Sequence, residues 1–162
     1  MPAMQWLHQQ RVAGGFLGFL VLGAGFSPAL AGDSLYGKVT EVKDATVVTL
    51  DYGAGTYVVR ITGIEAPREG KFAQDAREVV AKLVLGKTIH LRFEGRNDKG
   101  EMVGQVFTDD PEVGVKDVGL ELMKSGLVRR IQGYDYKYHE LSAAESEARK
   151  GHRGLWAATP PK

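Results

Sequence analysis

Apolar and polar positions follow two different periods along this chain, and the switches between them mark its elements. After Asp33 and Ser34 the runs are short, rich in Val, Thr and Tyr, and separated by turn residues. Leu35 to Val42 and Thr46 to Tyr52 predict two strands. Gly53-Ala54-Gly55 takes positive φ at little cost, and Thr56-Tyr57-Val58-Val59-Arg60-Ile61 predicts a third strand behind it. Pro67, with no ladder donor, breaks this meander within Gly63-Ile64-Glu65-Ala66-Pro67, and a loop runs through Gly70. From Phe72 the period becomes helical: Phe72, Ala76, Val79, Val80 and Leu83 share one face, and Gly86 closes the helix. Thr88 to Phe93 alternates again as a fourth strand, and Met102 to Phe107 makes a fifth after the Asn97-Asp98-Lys99-Gly100 turn. Helical spacing returns over Val115 to Ser125 and over Tyr138 to Lys150, where Leu141, Ala144 and Ala148 share a face. The pattern predicts an α+β chain that is mainly β: a five-stranded Greek-key barrel with about three helices, closed over by Leu155 and Trp156.

Composition changes this picture at the N-terminus. Val12 to Phe26 is an apolar run preceded by Arg11 as its only fixed cation, and Ala29-Leu30-Ala31 has the small-x-small form of a cleavage site. These features predict a signal peptide over residues 1–31, a secreted or periplasmic domain over 32–156, and a flexible tail over 157–162. The run is shorter than the roughly 20 residues of a membrane span, so no stable span is expected after cleavage. The alternative is an uncleaved anchor holding the domain at a membrane's outer face.

The formal net charge is +1, and removing residues 1–31 takes away Arg11 and no acidic residue, which brings it to zero. The basic excess of many nucleic-acid binders is absent, so any phosphate affinity must be local. With no cysteine in the chain, disulfides, thiol catalysis and cysteine-ligated zinc are excluded. His90, His139 and His152 lack metal-ligand spacing and read as strand-face or surface residues. The run Arg149, Lys150, His152 and Arg153 is accounted for by a helix C-terminus, whose dipole favours cations.

Four stretches carry a family resemblance. They are Val42-Lys43-Asp44-Ala45-Thr46-Val47-Val48-Thr49-Leu50; Arg60-Ile61-Thr62-Gly63-Ile64-Glu65-Ala66-Pro67; Gly119-Leu120 through Gly126-Leu127; and Ala144-Glu145 with Glu147-Ala148-Arg149, closing on Gly154-Leu155-Trp156. In order and spacing they resemble staphylococcal nuclease-like (thermonuclease) domains over nearly the whole chain after residue 31. The resemblance implies an OB-fold barrel and phosphodiester hydrolysis. In that reaction a carboxylate-held calcium ion binds a phosphate oxygen, a glutamate activates water, and two arginines stabilise the charged transition state. Each residue type suits its role, because a hard cation takes oxygen ligands, a base must accept a proton, and guanidinium forks match phosphoryl oxygens.

By this resemblance Arg60 is the first catalytic arginine, and Glu65 stands where the family has a metal-binding aspartate. Aligned without a gap, the family's Asp-Gly-Asp-Thr becomes Asp44-Ala45-Thr46-Val47, with Thr46 in place of the second metal-binding aspartate. A shifted register makes Asp44 that aspartate but displaces the alternation of Val48 and Leu50. The glutamate base after Pro67 becomes Arg68, whose guanidinium cannot accept a proton, leaving Glu69 as a displaced base. The Asp-x-Tyr-Gly-Arg that supplies the second arginine becomes Asp98-Lys99-Gly100-Glu101-Met102, one residue shorter and without arginine. Tyr134, Tyr136 and Lys137, with Arg129, fall where family tyrosines contact the nucleotide, and aromatic faces beside cations suit single-stranded bases. The expected function is a degenerate phosphodiesterase site serving as a non-hydrolytic binding module for nucleic acid or a protein partner, with calcium binding weak or lost. The alternative is a divergent calcium-dependent nuclease using Glu65, Asp44, Glu69 and Arg60; a third reading is an accessory subunit of an envelope assembly.

Overall fold

Short alternating strands bury one face each and need a partner on both edges, and the computed structural model answers with a closed barrel. It describes residues 34–108, 111, 112, 114–133 and 139–157. The leader read over 1–31 and all of the tail except Ala157 lie outside these residues. In chain order the elements are β1 (Ser34–Asp44), β2 (Val47–Asp51), β3 (Thr56–Ile61), β4 (Ile64–Glu65), α1 (Lys71–Val84), β5 (Thr88–Arg96), β6 (Met102–Thr108), α2 (Val118–Lys124), β7 (Arg129–Arg130), α3 (His139–Lys150) and a 3-10 helix over Gly154–Trp156. The barrel runs β1-β2-β3-β6-β5, with β4 and β7 forming a separate two-stranded pair. Four of the barrel's pairings are antiparallel; β3 and β6 run parallel through Val59↔Met102, Arg60↔Val103 and Ile61↔Gly104. This is the five-stranded barrel with three helices that the sequence predicts, and its one parallel pairing makes the sheet mixed.

Period two is cleanest in β6, where Met102, Gly104, Val106 and Thr108 are buried and the residues between them are half-buried. Gly104 is required by closure: a Cβ there would lie 2.2 Å from the Arg92 carbonyl oxygen of β5. Val39, Val48, Leu50, Val59, Leu91 and Val106 meet in one continuous core with Ala76, Val80 and Val84 of α1 and Leu122 and Met123 of α2. Fully burying one such aliphatic side chain is worth about 1.5–3 kcal/mol.

Four expectations need correction. Phe72 does not share the buried face of α1; it is exposed in the first turn, and Val84 takes the inward position instead. The strand predicted from Thr46 begins at Val47, and Val47, Val48, Thr49 and Leu50 are all buried. Because β2 is covered on both sides, its alternation does not discriminate between the two registers of Asp44. The α2 helix begins at Val118, after Asp117 caps it by accepting the Leu120 N–H at 3.0 Å, while Val115 stays exposed. Trp156 is buried, yet it packs away from the continuous core, with the Arg149 and Arg129 guanidinium carbons 3.9 and 5.4 Å from its ring.

The third and fourth signature stretches meet at a glycine pair. The Leu155 N–H donates to the Gly126 carbonyl at 2.8 Å, and a Cβ on Gly126 would fall 2.3 Å from the Arg153 carbonyl oxygen. Arg153 also donates from Nη1 to the Lys124 carbonyl at the end of α2. Among the described residues, no helix is long and apolar enough to cross a membrane.

Candidate functional site

Strand alternation places Arg60: Val59 and Ile61 point into the core, so Arg60 points out, flanked by Val47 on β2 and Val103 on β6. Around it the end of β1, the β1–β2 turn, the loop after β4, the start of α1 and the β5–β6 turn surround one groove. Its lining includes Lys43, Asp44, Thr46, Arg60, Glu65, Arg68, Glu69, Arg77, Asn97, Asp98 and Lys99. Of the predicted site residues, Arg60, Asp44, Glu65 and Glu69 are thereby brought to one surface. Arg77 anchors α1 beside it by donating from Nε to the Val42 carbonyl at 3.1 Å.

The Arg60 fork is already engaged. Its Nε donates to Glu101 Oε2 at 2.7 Å and its Nη2 to Glu101 Oε1 at 3.3 Å, while Nη1 donates to Thr46 Oγ1 at 3.4 Å. Thr46 in turn donates to Asp44 Oδ1 from both its backbone N–H, at 2.6 Å, and its hydroxyl, at 2.8 Å. Glu101 is fixed from the other side by Asn97, whose Nδ2 donates to Oε2 at 2.7 Å and whose Oδ1 accepts the Lys99 and Glu101 N–H groups. The Arg60 hydrogen bond, then that of Asn97, holds the Glu101 carboxyl below the usual range, and the same Glu101 bond raises Arg60 despite partial burial. Arg60 is therefore a positioned, charged and internally satisfied guanidinium.

Sequence reasoning missed Glu101 as a site residue. The signal was present: with Gly100 taken as the glycine of the family's Asp-x-Tyr-Gly-Arg, Glu101 occupies the second arginine's place. The structure thus puts an anion where the resemblance implies a cation, directly on Arg60.

Glu65 and Arg68 also line a smaller pocket with Ala66, Pro67, Arg129 and Leu155, adjoining the groove. Arg129 pairs with Glu65 across β4 and β7, which places this predicted substrate-binding cation beside the predicted metal ligand. Tyr134, Tyr136 and Lys137 lie outside the described residues. The donors around the groove fit calcium in kind, since it takes six to eight oxygens, but not in arrangement: among the described residues no three His, Asp or Glu gather closely enough to hold a metal ion. Asp44 also has one oxygen engaged by Thr46.

Comparison with known proteins bears on what this surface does. The sequence model of the staphylococcal nuclease homologue family matches residues 58–158. A probable staphylococcal-like nuclease of rice (Oryza sativa subsp. japonica) is 31% identical over 110 residues, covering 67% of this chain and 31% of that protein. An uncharacterized endonuclease of Escherichia coli is 25% identical over 135 residues, covering 83% of this chain and 84% of its own length. A probable endonuclease of Verticillium alfalfae is 32% identical over 114 residues, covering 63% and 39%. The matched stretch is thus about a third of the rice relative and most of the bacterial one.

Proposed function

Starting from a chain that belongs to the staphylococcal nuclease family, we propose that it is a divergent nuclease that binds the phosphodiester backbone of nucleic acid in the Arg60 groove and hydrolyses it slowly. The observation that carries this reading is Arg60 itself, held outward on β3, where the resemblance implies the first catalytic arginine, in a groove that also presents Lys43, Arg68, Arg77 and Lys99. In a chain whose net charge is close to zero, that local set of cations is what can meet phosphates. The names of the relatives, nucleases and endonucleases, support hydrolysis more than the binding-only role expected from the residue differences.

In this reading Arg60 contacts a phosphoryl oxygen and stabilises the charge that develops there. Glu69, exposed in the groove, is the carboxylate nearest in sequence to the missing base, and the Arg68 side chain adds a cation for a flanking phosphate. Asp44 and Glu65 stand where the resemblance implies calcium ligands, but with no third carboxylate gathered beside them among the described residues they do not make a calcium site. The open arrangement and the replaced base account for an expected low rate.

A second reading, nucleic-acid binding without hydrolysis, is favoured by Arg68 after Pro67 and by Glu101 on Arg60. One experiment separates the two. The protein is incubated with single- and double-stranded DNA and RNA, with calcium and with chelator. Cleavage that needs calcium and disappears in Arg60→Ala supports the nuclease; salt-dependent oligonucleotide binding with no cleavage under any condition supports the binder.

A further inference from the structure

We propose that Glu101 is a specificity-determining residue of this groove: a built-in anion that occupies the Arg60 fork where a phosphoryl group would dock, so that only an anion making further contacts along the groove displaces it. This rests on the reading of the groove as a phosphodiester site. The two-oxygen engagement of Nε and Nη2 uses the same guanidinium edge that recognises phosphate, and the remaining Nη1 faces Thr46.

The contact is built rather than incidental. Side-chain exposure is 36% for Arg60 and 16% for Glu101. The turn that presents Glu101 is tied at both ends: Asn97 N–H donates to the Glu101 carbonyl at 3.1 Å and Gly100 N–H to the Asn97 carbonyl at 2.9 Å. With the Asn97 amide also on Oε2, the carboxylate is held in place before any ligand arrives.

The consequence is a selection by ligand size. An isolated phosphate that replaces Glu101 exchanges one oxyanion on Arg60 for another and leaves Glu101 without its partner, so its net gain is small. A nucleic-acid strand replaces the same contact while adding phosphates against Lys43, Arg68 and Lys99, which line the same groove. The site is therefore closed to small anions and open to polymers.

The test compares the wild-type chain with Glu101→Gln and Asn97→Ala. Inorganic phosphate is titrated while the Arg60 Nε–Hε NMR resonance is followed, and a fluorescein-labelled twelve-residue oligothymidylate is titrated by anisotropy. Glu101→Gln is expected to bind inorganic phosphate at Arg60 about tenfold or more tightly than wild type, as loss of a competing charge-assisted bond implies, with a smaller gain for the oligonucleotide. Asn97→Ala, which keeps the carboxylate but unclamps it, is expected to lie between them. Phosphate affinity at Arg60 that is unchanged or weaker in a folded Glu101→Gln protein overturns the inference. Should that variant fail to fold, Asn97→Ala decides the matter, and an unchanged phosphate affinity there overturns it equally. If phosphate binding strengthens but no variant binds the oligonucleotide, Glu101 keeps its role and the nucleic-acid reading fails. If all variants bind and cleave nucleic acid alike with unchanged phosphate affinity, the nuclease stands and the role of Glu101 is lost.

Discussion

Two glutamates in this molecule each hold arginine, in surroundings that give the contacts different meanings. Glu145 on α3 is buried, accepts the Arg130 backbone N–H at 3.4 Å, and lies 3.6 Å from Arg130 Nε and 3.4 Å from Arg149 Nη2. Arg149 then covers Trp156, so this carboxylate joins β7, α3 and the 3-10 helix. Glu101 makes one shorter and more directional contact on a half-exposed arginine at the edge of a groove. The first pair is shared among packed elements and belongs to the scaffold. The second engages the arginine proposed to meet substrate, so its proposed effect falls on what the groove admits.

The largest effect should come from Arg60. Arg60→Ala is expected to reduce cleavage about 100- to 1,000-fold, the usual loss for one transition-state donor, with little change in melting temperature. A large loss of stability instead would erase the distinction between the two pairs. Next is Glu145→Ala, which removes a buried carboxylate from the largely buried Arg130 side chain and should lower unfolding free energy by about 1–3 kcal/mol in urea. Glu101→Ala should cost under about 1 kcal/mol, as partly exposed pairs do; equal costs would mean that both carboxylates serve the scaffold.

A third carboxylate, the cap of α2, adds to the contrast. Asp117→Ala removes the cap of α2 and should cost about 1 kcal/mol, whereas Asp117→Asn keeps an acceptor for Leu120 and should cost little. Burial raises the Asp117 carboxyl above its ordinary range. Its contribution therefore favours low pH: it is fully present below the unfolded pKa and lost as pH rises through the raised folded value, and Asp117→Asn should flatten that loss. Glu101 carries the opposite sign. Its lowered carboxyl contributes above the ordinary carboxylate range and loses that contribution as pH falls through the lowered value. Acid titrations of wild type against Glu101→Gln should show this smallest difference.

Element order was legible in the sequence because the change of period from two to helical repeat is local, and turns such as Gly53-Ala54-Gly55 and Asn97 to Gly100 carry Gly or Asn, although the β1–β2 turn at Ala45-Thr46 does not. Arg60 was legible because its strand and the following Gly-x-x-x-Pro stretch form one continuous signature. The Arg60–Glu101 contact was not, since the two lie 41 residues apart and only the β3–β6 seam brings them together; the place of Glu101 behind Gly100 marked a change of charge without naming its partner. The burial of β2 on both faces was equally hidden, because Thr49 reads as a solvent-facing residue until Glu41 and Thr40 meet it. For Trp156, size suggested a residue closing over the barrel, and only the fold brings Arg129 and Arg149 onto its ring.

The parallel pairing of β3 with β6 also bears on how the molecule forms. β1, β2 and β3 join through short connections, as do β5 and β6, whereas the β3–β6 seam closes a long loop that contains α1. Closing such a loop costs chain entropy before its contacts repay it, so this seam should join late in folding. Arg60 and Glu101 stand on opposite sides of it. A nascent or partly opened chain would therefore carry an unmasked arginine and no groove, and the mask and the site come into being in the same step.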